Sequence, residues 1–463
     1  MSKVIAKPVH TNALLACVLT GVFMAILDVA IVNVALPVMQ ASIHSSGAQL
    51  QLVVVGYIAT YAALLITGAR LGDMFGYRKL FLIGVAIFTA ASLACGLAPS
   101  SNTLISFRIV QGAGAALMIP QVLSFIQKYF VDIERARALG VYATVIGGGA
   151  IAGQVIGGVL VNANVLGLQW RPIFLVNVPI GAVLWLASKL FIPSDSGRLG
   201  RQLDLPGVVV LSFTILALVV PLTLGREWGW PEWMWGLLAC GLVAMLLFRV
   251  LEKWAGQRGG QPLVHGRLLQ APGFMAGTLA ILVAMGGYGG ILFLLTLYVQ
   301  KGLKDSPLVA GLVFLPSAVA FAMTSLNWRR LPTEWHRRMI PIGLLISSAA
   351  LVALAWSLLA GKITLPMEFA IFCFGGGMGV AFSPLFTFAL AHIKANDAAD
   401  ASGVLATVNQ LGQVIGVAVY GALLLNFFRV PADAPHAGML TALAMSAGAA
   451  LAAIAALFLP KSR

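Results

Sequence analysis

Charge is what this sequence has least of. Asp, Glu, Lys and Arg make up only 10% of its 463 residues, against 60% hydrophobic ones, where a soluble domain carries about 25% charged residues. So sparse a supply excludes an ordinary water-facing surface and leaves one that meets lipid. Cysteine is scarce too. Cys17, Cys95, Cys240 and Cys373 each lie inside an apolar run with no CxxC spacing, which excludes a disulfide framework and a thiol redox motif. There is no GxxxxGK[ST] phosphate loop, no GxSxG elbow and no HExxH pair, so nothing points to an internal ATPase, a serine hydrolase or a zinc hydrolase. No catalytic residue, metal site or cofactor is indicated, and the chain reads as a non-enzyme.

Long apolar runs are what the sequence has in abundance. About 20 apolar residues cross the hydrocarbon core of a bilayer as a helix. Runs of that order fall near 12–38, 49–72, 78–98, 102–126, 137–162, 171–192, 205–224 and 232–252, and then near 271–299, 307–328, 339–360, 366–392, 399–426 and 437–459. The expected fold is therefore an all-α integral membrane protein with fourteen spans. The first run is too long for the 7–15-residue core of a signal peptide, roughly speaking, and reads as a retained helix. No segment between runs is long enough to fold as a catalytic or sensing domain.

The net charge is +14, which on a soluble chain would suggest nucleic acid. Here the cations sit in short loops beside apolar runs, where they set topology and meet anionic headgroups. Nucleic acid is not an expected partner; membrane lipids are. With the N-terminus inside, 22 of the 29 Lys and Arg fall on the inner side, for example Arg70, Arg78, Lys79, Arg329 and Arg330. The outer side keeps only Arg226, Lys301, Lys304, Lys362 and Arg429. That bias places both termini in the cytoplasm of a plasma membrane, the inner membrane in a bacterium. Trp228, Trp230, Trp233 and Trp235 cluster at one outer turn, as an interfacial aromatic belt does.

Residues 140–153, GVYATVIGGGAIAG, match residues 403–416, GVLATVNQLGQVIG, at a constant offset. The two segments lie in the fifth and thirteenth runs, which fits a six-helix unit repeated in parallel with a helix pair inserted between the copies. The expected division is an N-terminal bundle over 1–192, an inserted segment over 193–270 and a C-terminal bundle over 271–463.

A few polar residues lie deep in these runs. Asp28 is in the first, where a central carboxylate costs about 2.5–3.5 kcal/mol on insertion scales and so faces a partner or a water-filled cavity. Desolvation favours a protonated carboxyl and a nearby cation favours an ionised one, so a group under both influences can exchange a proton as its surroundings change. Arg108 in the fourth run is the obvious partner, followed by small residues Gly112 and Ala115 that allow close helix approach. The bland alternative is an ion pair that locks two helices. Gly149, Gly153 and Gly157, with Gly158 adjacent, form a four-residue stripe suited to tight helix packing. The loop at 70–79, RLGDMFGYRK, reads as a cytoplasmic latch in which Asp73 accepts from a helix N-terminus or pairs with Arg135 or Arg137.

At this point a resemblance is plain. LDVAIVNVALP at 27–37, the loop at 69–79 with Asp73, Gly76 and Arg78, RIVQGAGAA at 108–116, and WRPIFLVNVPIG at 170–181 resemble motifs of the major facilitator superfamily. The resemblance is specifically to the fourteen-span drug:proton antiporters of the EmrB/QacA type. One departure stands out: Gln154 follows Gly153 where the antiporter motif usually has proline. The resemblance implies two six-helix bundles rocking about a central cavity. Asp28 would carry the proton, Arg108 would modulate it, and Asp73 with Arg78 would latch one state. By polarity, Asn33, Gln111, Gln154, Asn409 and Gln413 are the cavity candidates. The expected activity is export of hydrophobic small molecules, drugs included, driven by the proton gradient. The alternatives are a dedicated carrier of one metabolite or a non-transporting receptor. Small-molecule substrate and protons are the expected partners, and nothing in the residues specifies a periplasmic adaptor.

Overall fold

The computed structural model describes residues 11–195, 197, 204–225, 228–257, 266–393, 398–428 and 430–460. Several cations used above to orient the chain, Lys3, Lys7, Arg198, Arg201, Arg226, Arg258, Lys394, Arg429, Lys461 and Arg463, lie outside these residues.

The apolar runs form helices. The first group is α1 Thr11–Ser42, α2 Gly47–Phe75, α3 Tyr77–Gly96, α4 Ser101–Tyr129 and α5 Asp132–Ala163. The sixth, α6 Pro172–Phe191, breaks at Val176 because Pro179 has no N–H to give the carbonyl of Leu175. Next come α7 Leu205–Leu224 and α8 Glu232–Gln257. Then follow α9 Phe274–Gly302 and α10 Pro307–Arg330, and α11 Thr333–Leu358, α12 Leu365–Leu390, α13 Ala398–Phe427 and α14 Ala434–Leu457. The short turns are capped locally. Ser46 and Ser100 form capping boxes with Gln49 and Thr103, which satisfy the free N–H groups that open α2 and α4.

Among the described residues twelve helices, not fourteen, are long and apolar enough to cross a membrane. Within α5 and α7 the described apolar stretches are Gly148–Ala163 and Pro206–Leu222.

Two hydrophobic cores lie side by side. One draws on α1 to α6, with Ile215 and Val219 of α7 and Val414 of α13 joining it. The other draws on α9 to α14. The helix pair α7–α8 packs on the outside. Leu242, Val243, Leu246 and Val250 of α8 are each more than half exposed, the signature of a lipid-facing helix.

The internal repeat reappears as packing. A Cβ on Gly153 would come within 2.7 Å of the Ala30 Cβ and the Leu27 carbonyl oxygen, so α5 rides directly on α1. The repeat-related Gly416 stands in the same relation to α9, where a Cβ would be 2.0 Å from the Gly286 carbonyl oxygen. Gly149 and Gly157 continue the α1 contact against Ile26 and Ile31, whereas Gly158 faces Pro307 and Leu308 of the other half. The stripe thus serves two contacts, one inside a bundle and one between bundles.

A bulky residue in this seam forces the helices apart, at a cost of about 1–3 kcal/mol or more. Gly153→Val and Gly416→Val are therefore expected to lower the thermal unfolding midpoint of detergent-solubilised protein. Gly140→Ala, where an added Cβ meets nothing within 4 Å, should leave it unchanged.

Candidate functional site

The deep polar residues converge on one buried cluster. Asp28 of α1 and Arg108 of α4 are both fully buried and form an ion pair. The Arg108 guanidinium also donates from Nε to the Val53 carbonyl at 2.9 Å and from Nη1 to Gln111 Oε1 at 2.8 Å. Its plane lies over the Tyr57 ring, 4.3 Å from the centroid, with Phe174 on a second side at 5.6 Å. The other Asp28 oxygen accepts from Gln111 Nε2 at 2.8 Å and from Asn177 Nδ2 at 3.1 Å. Gln111 Nε2 also donates to Ser92 Oγ at 2.8 Å. Five helices, α1, α2, α3, α4 and α6, thus meet in one cluster around the Asp28–Arg108 pair.

Removing charge from water costs several kcal/mol per ion unless partners replace the water on both groups. Here both carboxylate oxygens are occupied, and the guanidinium has three oxygen acceptors and two aromatic faces. Arg is suited to this because its planar fork bonds and stacks at once.

Three cavities lie along the boundary between the two cores. The largest, about 420 Å³, opens beside the α1–α2 turn and is lined by Asn33, Gln40, Gln51, Phe293, Leu297 and Lys301, among others. A central one of about 40 Å³ is lined by Ile26, Val29 and Ala30 of α1 together with Tyr288, Asn409, Gln410 and Gln413. A third, about 30 Å³, lies near Asp73 and Gly403.

Of the five cavity candidates, Asn33, Asn409 and Gln413 line a cavity. Gln111 does not: it is fully buried in the Asp28 cluster. Gln154 does not either. It is fully buried where α5 meets α10, with its backbone 2.5 Å from where a Cβ on Gly311 would lie. Polarity marked both residues correctly as unusual, but it carries no information on which face of a helix they occupy. Asn177 and Ser92 were not singled out. Asn177 sits inside the quoted WRPIFLVNVPIG stretch and is the one amide in α6, which is the signal that could have found it.

The loop after α2 is held from a distance. Asp73 accepts from the Tyr77 hydroxyl at 2.5 Å. The N-terminus of α3 is capped by Asp195, from the chain after α6, whose carboxylate accepts from the Tyr77 and Arg78 amides at 2.9 and 3.0 Å. Lys128 Nζ lies 3.7 Å from the same carboxylate, and Arg78 donates to the Lys189 carbonyl. Arg135 bonds the Phe130 and Gln127 carbonyls. Gly76 has φ +94° and would place a Cβ 2.6 Å from the Asp195 carbonyl oxygen, so only glycine fits this corner.

The family model of the Major Facilitator Superfamily matches residues 18–417. The chain belongs to the major facilitator superfamily. Its relatives include the probable actinorhodin transporter of Streptomyces coelicolor, 34% identical over 89% of this chain and 72% of that one. They also include the cephamycin export protein CmcT of Amycolatopsis lactamdurans, 36% identical over 88% and 84% of the two chains. Among solved structures, a D-xylose–proton symporter superposes with a TM-score of 0.68 at 13% identity, covering 98% of each chain. That likeness shows the fold; the family match makes the chain an integral membrane transporter, with relatives named for antibiotic export and multidrug resistance.

The Asp195 cap has a measurable consequence in this superfamily member. Losing an N-cap carboxylate costs about 0.5–2 kcal/mol. Asp195→Ala is expected to reduce the unfolding free energy in mixed micelles by that order, and Asp195→Asn, which keeps an acceptor, by less.

Proposed function

We propose that this chain exports lipophilic small molecules in exchange for protons by alternating access, as a fourteen-span member of the EmrB/QacA type. The observation that carries the reading is the Asp28 cluster: a fully buried carboxylate bonded to Arg108, Gln111 and Asn177. A structural clamp between two helices needs only the ion pair. The extra amides give each charge a second partner, so that protonating Asp28 need not strand Arg108, which keeps Gln111 and the Val53 carbonyl.

The link to substrate runs through α1. One face of this helix carries Asp28 to α4 and α6, while Val29, Ala30 and Asn33 line the central and large cavities. Its other neighbour is the glycine face of α5. Neutralising Asp28 weakens the tie to α4, and a rigid helix shared by both sites transmits that change to the cavity wall. Proton and solute then bias the same two-state equilibrium, which is what coupling requires. A membrane potential supplies about 2.3 kcal/mol per charge per 100 mV, enough to drive a solute uphill.

The fourteen-span topology is supported by helix length. At 1.5 Å per residue, roughly, the 32-residue α5 and the 20-residue α7 reach about the 30 Å of a hydrocarbon core. With the twelve qualifying helices they make an even count, which supports both termini on one side of the membrane, the cytoplasmic one by the Lys and Arg bias. The bundles then run 1–192 and 271–463, with 193–270 as the inserted pair. Asp73, Gly76 and Arg78, held by Asp195, serve as the cytoplasmic latch. The names of the relatives support export, and those named for single antibiotics favour a second reading, a dedicated exporter of one metabolite.

Asp28→Asn should abolish transport driven by a pH gradient in proteoliposomes, by about 100-fold or more as is typical for loss of a proton-transfer group. Asp28→Asn/Arg108→Gln, which removes both charges of the pair, should fold normally yet stay uncoupled. Gradient-driven transport at the wild-type rate in either variant would sink the role assigned to Asp28.

A further inference from the structure

The cavity that would receive the exported solute carries an uneven charge. Among the described residues lining the large cavity and the central one there is a single side chain of charged type, Lys301, and no carboxylate. The other polar groups are neutral: the amides of Asn33, Gln40 and Gln51 in the large cavity, and Tyr288, Asn409, Gln410 and Gln413 in the centre. Asp28 is fully buried and lines neither cavity.

The position of Lys301 is itself unusual. It is one of the few cations on the side that the charge bias assigns to the outside, where Lys and Arg are otherwise sparse. A topology-setting role does not explain it. The last turn of α9, Tyr298–Gly302, widens into a π-helix, and such turns re-aim side chains at functional sites. The Tyr298 hydroxyl donates to the Leu358 carbonyl at 2.8 Å and anchors this turn to α11. Gln300 then donates to the Val34 carbonyl at 3.2 Å and Lys301 to Gln40 Oε1 at 3.3 Å, so the turn reaches across to α1 at the cavity rim.

We propose that this cavity selects amphiphilic organic anions, such as ring systems bearing a carboxylate or an acidic phenol, with Lys301 as the charge-recognising residue. The proposal rests on the exporter reading above and names its substrate class. An anion here gains a charge-assisted hydrogen bond from the ammonium, while its ring body covers Phe293 and Leu297. An organic cation loses hydration on entering, meets no counter-charge and faces Lys301. The volume of about 420 Å³ lies within the range of roughly 300–1,000 Å³ that holds drug-sized ligands. Gln40, the acceptor for Lys301 when no anion is bound, becomes a second donor to the anion through its own amide nitrogen.

The test uses two dyes of one xanthene frame: fluorescein, anionic at neutral pH, and a cationic rhodamine. Binding to purified full-length protein in detergent is read by fluorescence polarisation, with no proton gradient present. Fluorescein should bind about tenfold more tightly than the rhodamine. Lys301→Gln should erase that preference, Lys301→Glu should reverse it, and Lys301→Arg should retain it. Tighter rhodamine binding by the wild type, or an unchanged preference in Lys301→Gln, overturns the proposal. Because no gradient is involved, this result and the pH-driven transport of the Asp28 variants fail separately.

Discussion

The structure is organised around the cost of placing one ion pair in a lipid-surrounded bundle. Asp28 and Arg108 are each fully removed from solvent, and such a pair is retained only when geometry and further hydrogen bonds replace the lost water. The neighbouring helices meet most of that demand, leaving Arg108 Nη2 as the buried nitrogen of the pair without a hydrogen-bond partner. Tyr57 and Val53 of α2, Ser92 of α3, Gln111 of α4 and Asn177 of α6 all direct a ring, a carbonyl or a polar side chain at the pair or at its first partners. Breaking one half of a buried pair typically costs about 3–5 kcal/mol, so a change in its protonation is large enough to move helices.

Around that cluster the fold separates what must stay fixed from what can shift. Glycines on α5 and α13 bring these helices backbone to backbone with α1 and α9, which makes each half a stiff unit. The boundary between halves is looser and holds the cavities. On one side α5 meets α10 through Gly158 and Gly311; on another, Gln300 and Lys301 of α9 reach α1. Since α1 belongs to the ion cluster, the glycine seam and the cavity wall, it is the element that would link proton and solute in the proposed mechanism.

The sequence made the helices legible because lipid imposes a length and an apolar content on every span. It made Asp28 and Arg108 legible for the same reason, since ionisable groups inside apolar runs are few. The repeat at 140–153 and 403–416 was readable because close backbone contact admits only glycine at Gly153 and Gly416. Other features were hidden by geometry. Gln111 and Gln154 look alike in sequence, yet one bonds the carboxylate and the other is sealed between halves. Asp195 caps α3 from 118 positions away, and no local pattern links the two. Among the described residues, the fourteen apolar runs correspond to twelve helices that qualify by length and hydropathy.

The central claim is that the Asp28 carboxyl itself exchanges a proton inside the bundle. Infrared difference spectroscopy of reconstituted protein, stepped across pH, tests it directly. The account predicts a protonated-carboxyl stretching band in the wild type that is absent from Asp28→Asn and shifted in Arg108→Lys. A band that persists in Asp28→Asn, or a wild type in which no buried carboxyl changes protonation, would contradict it.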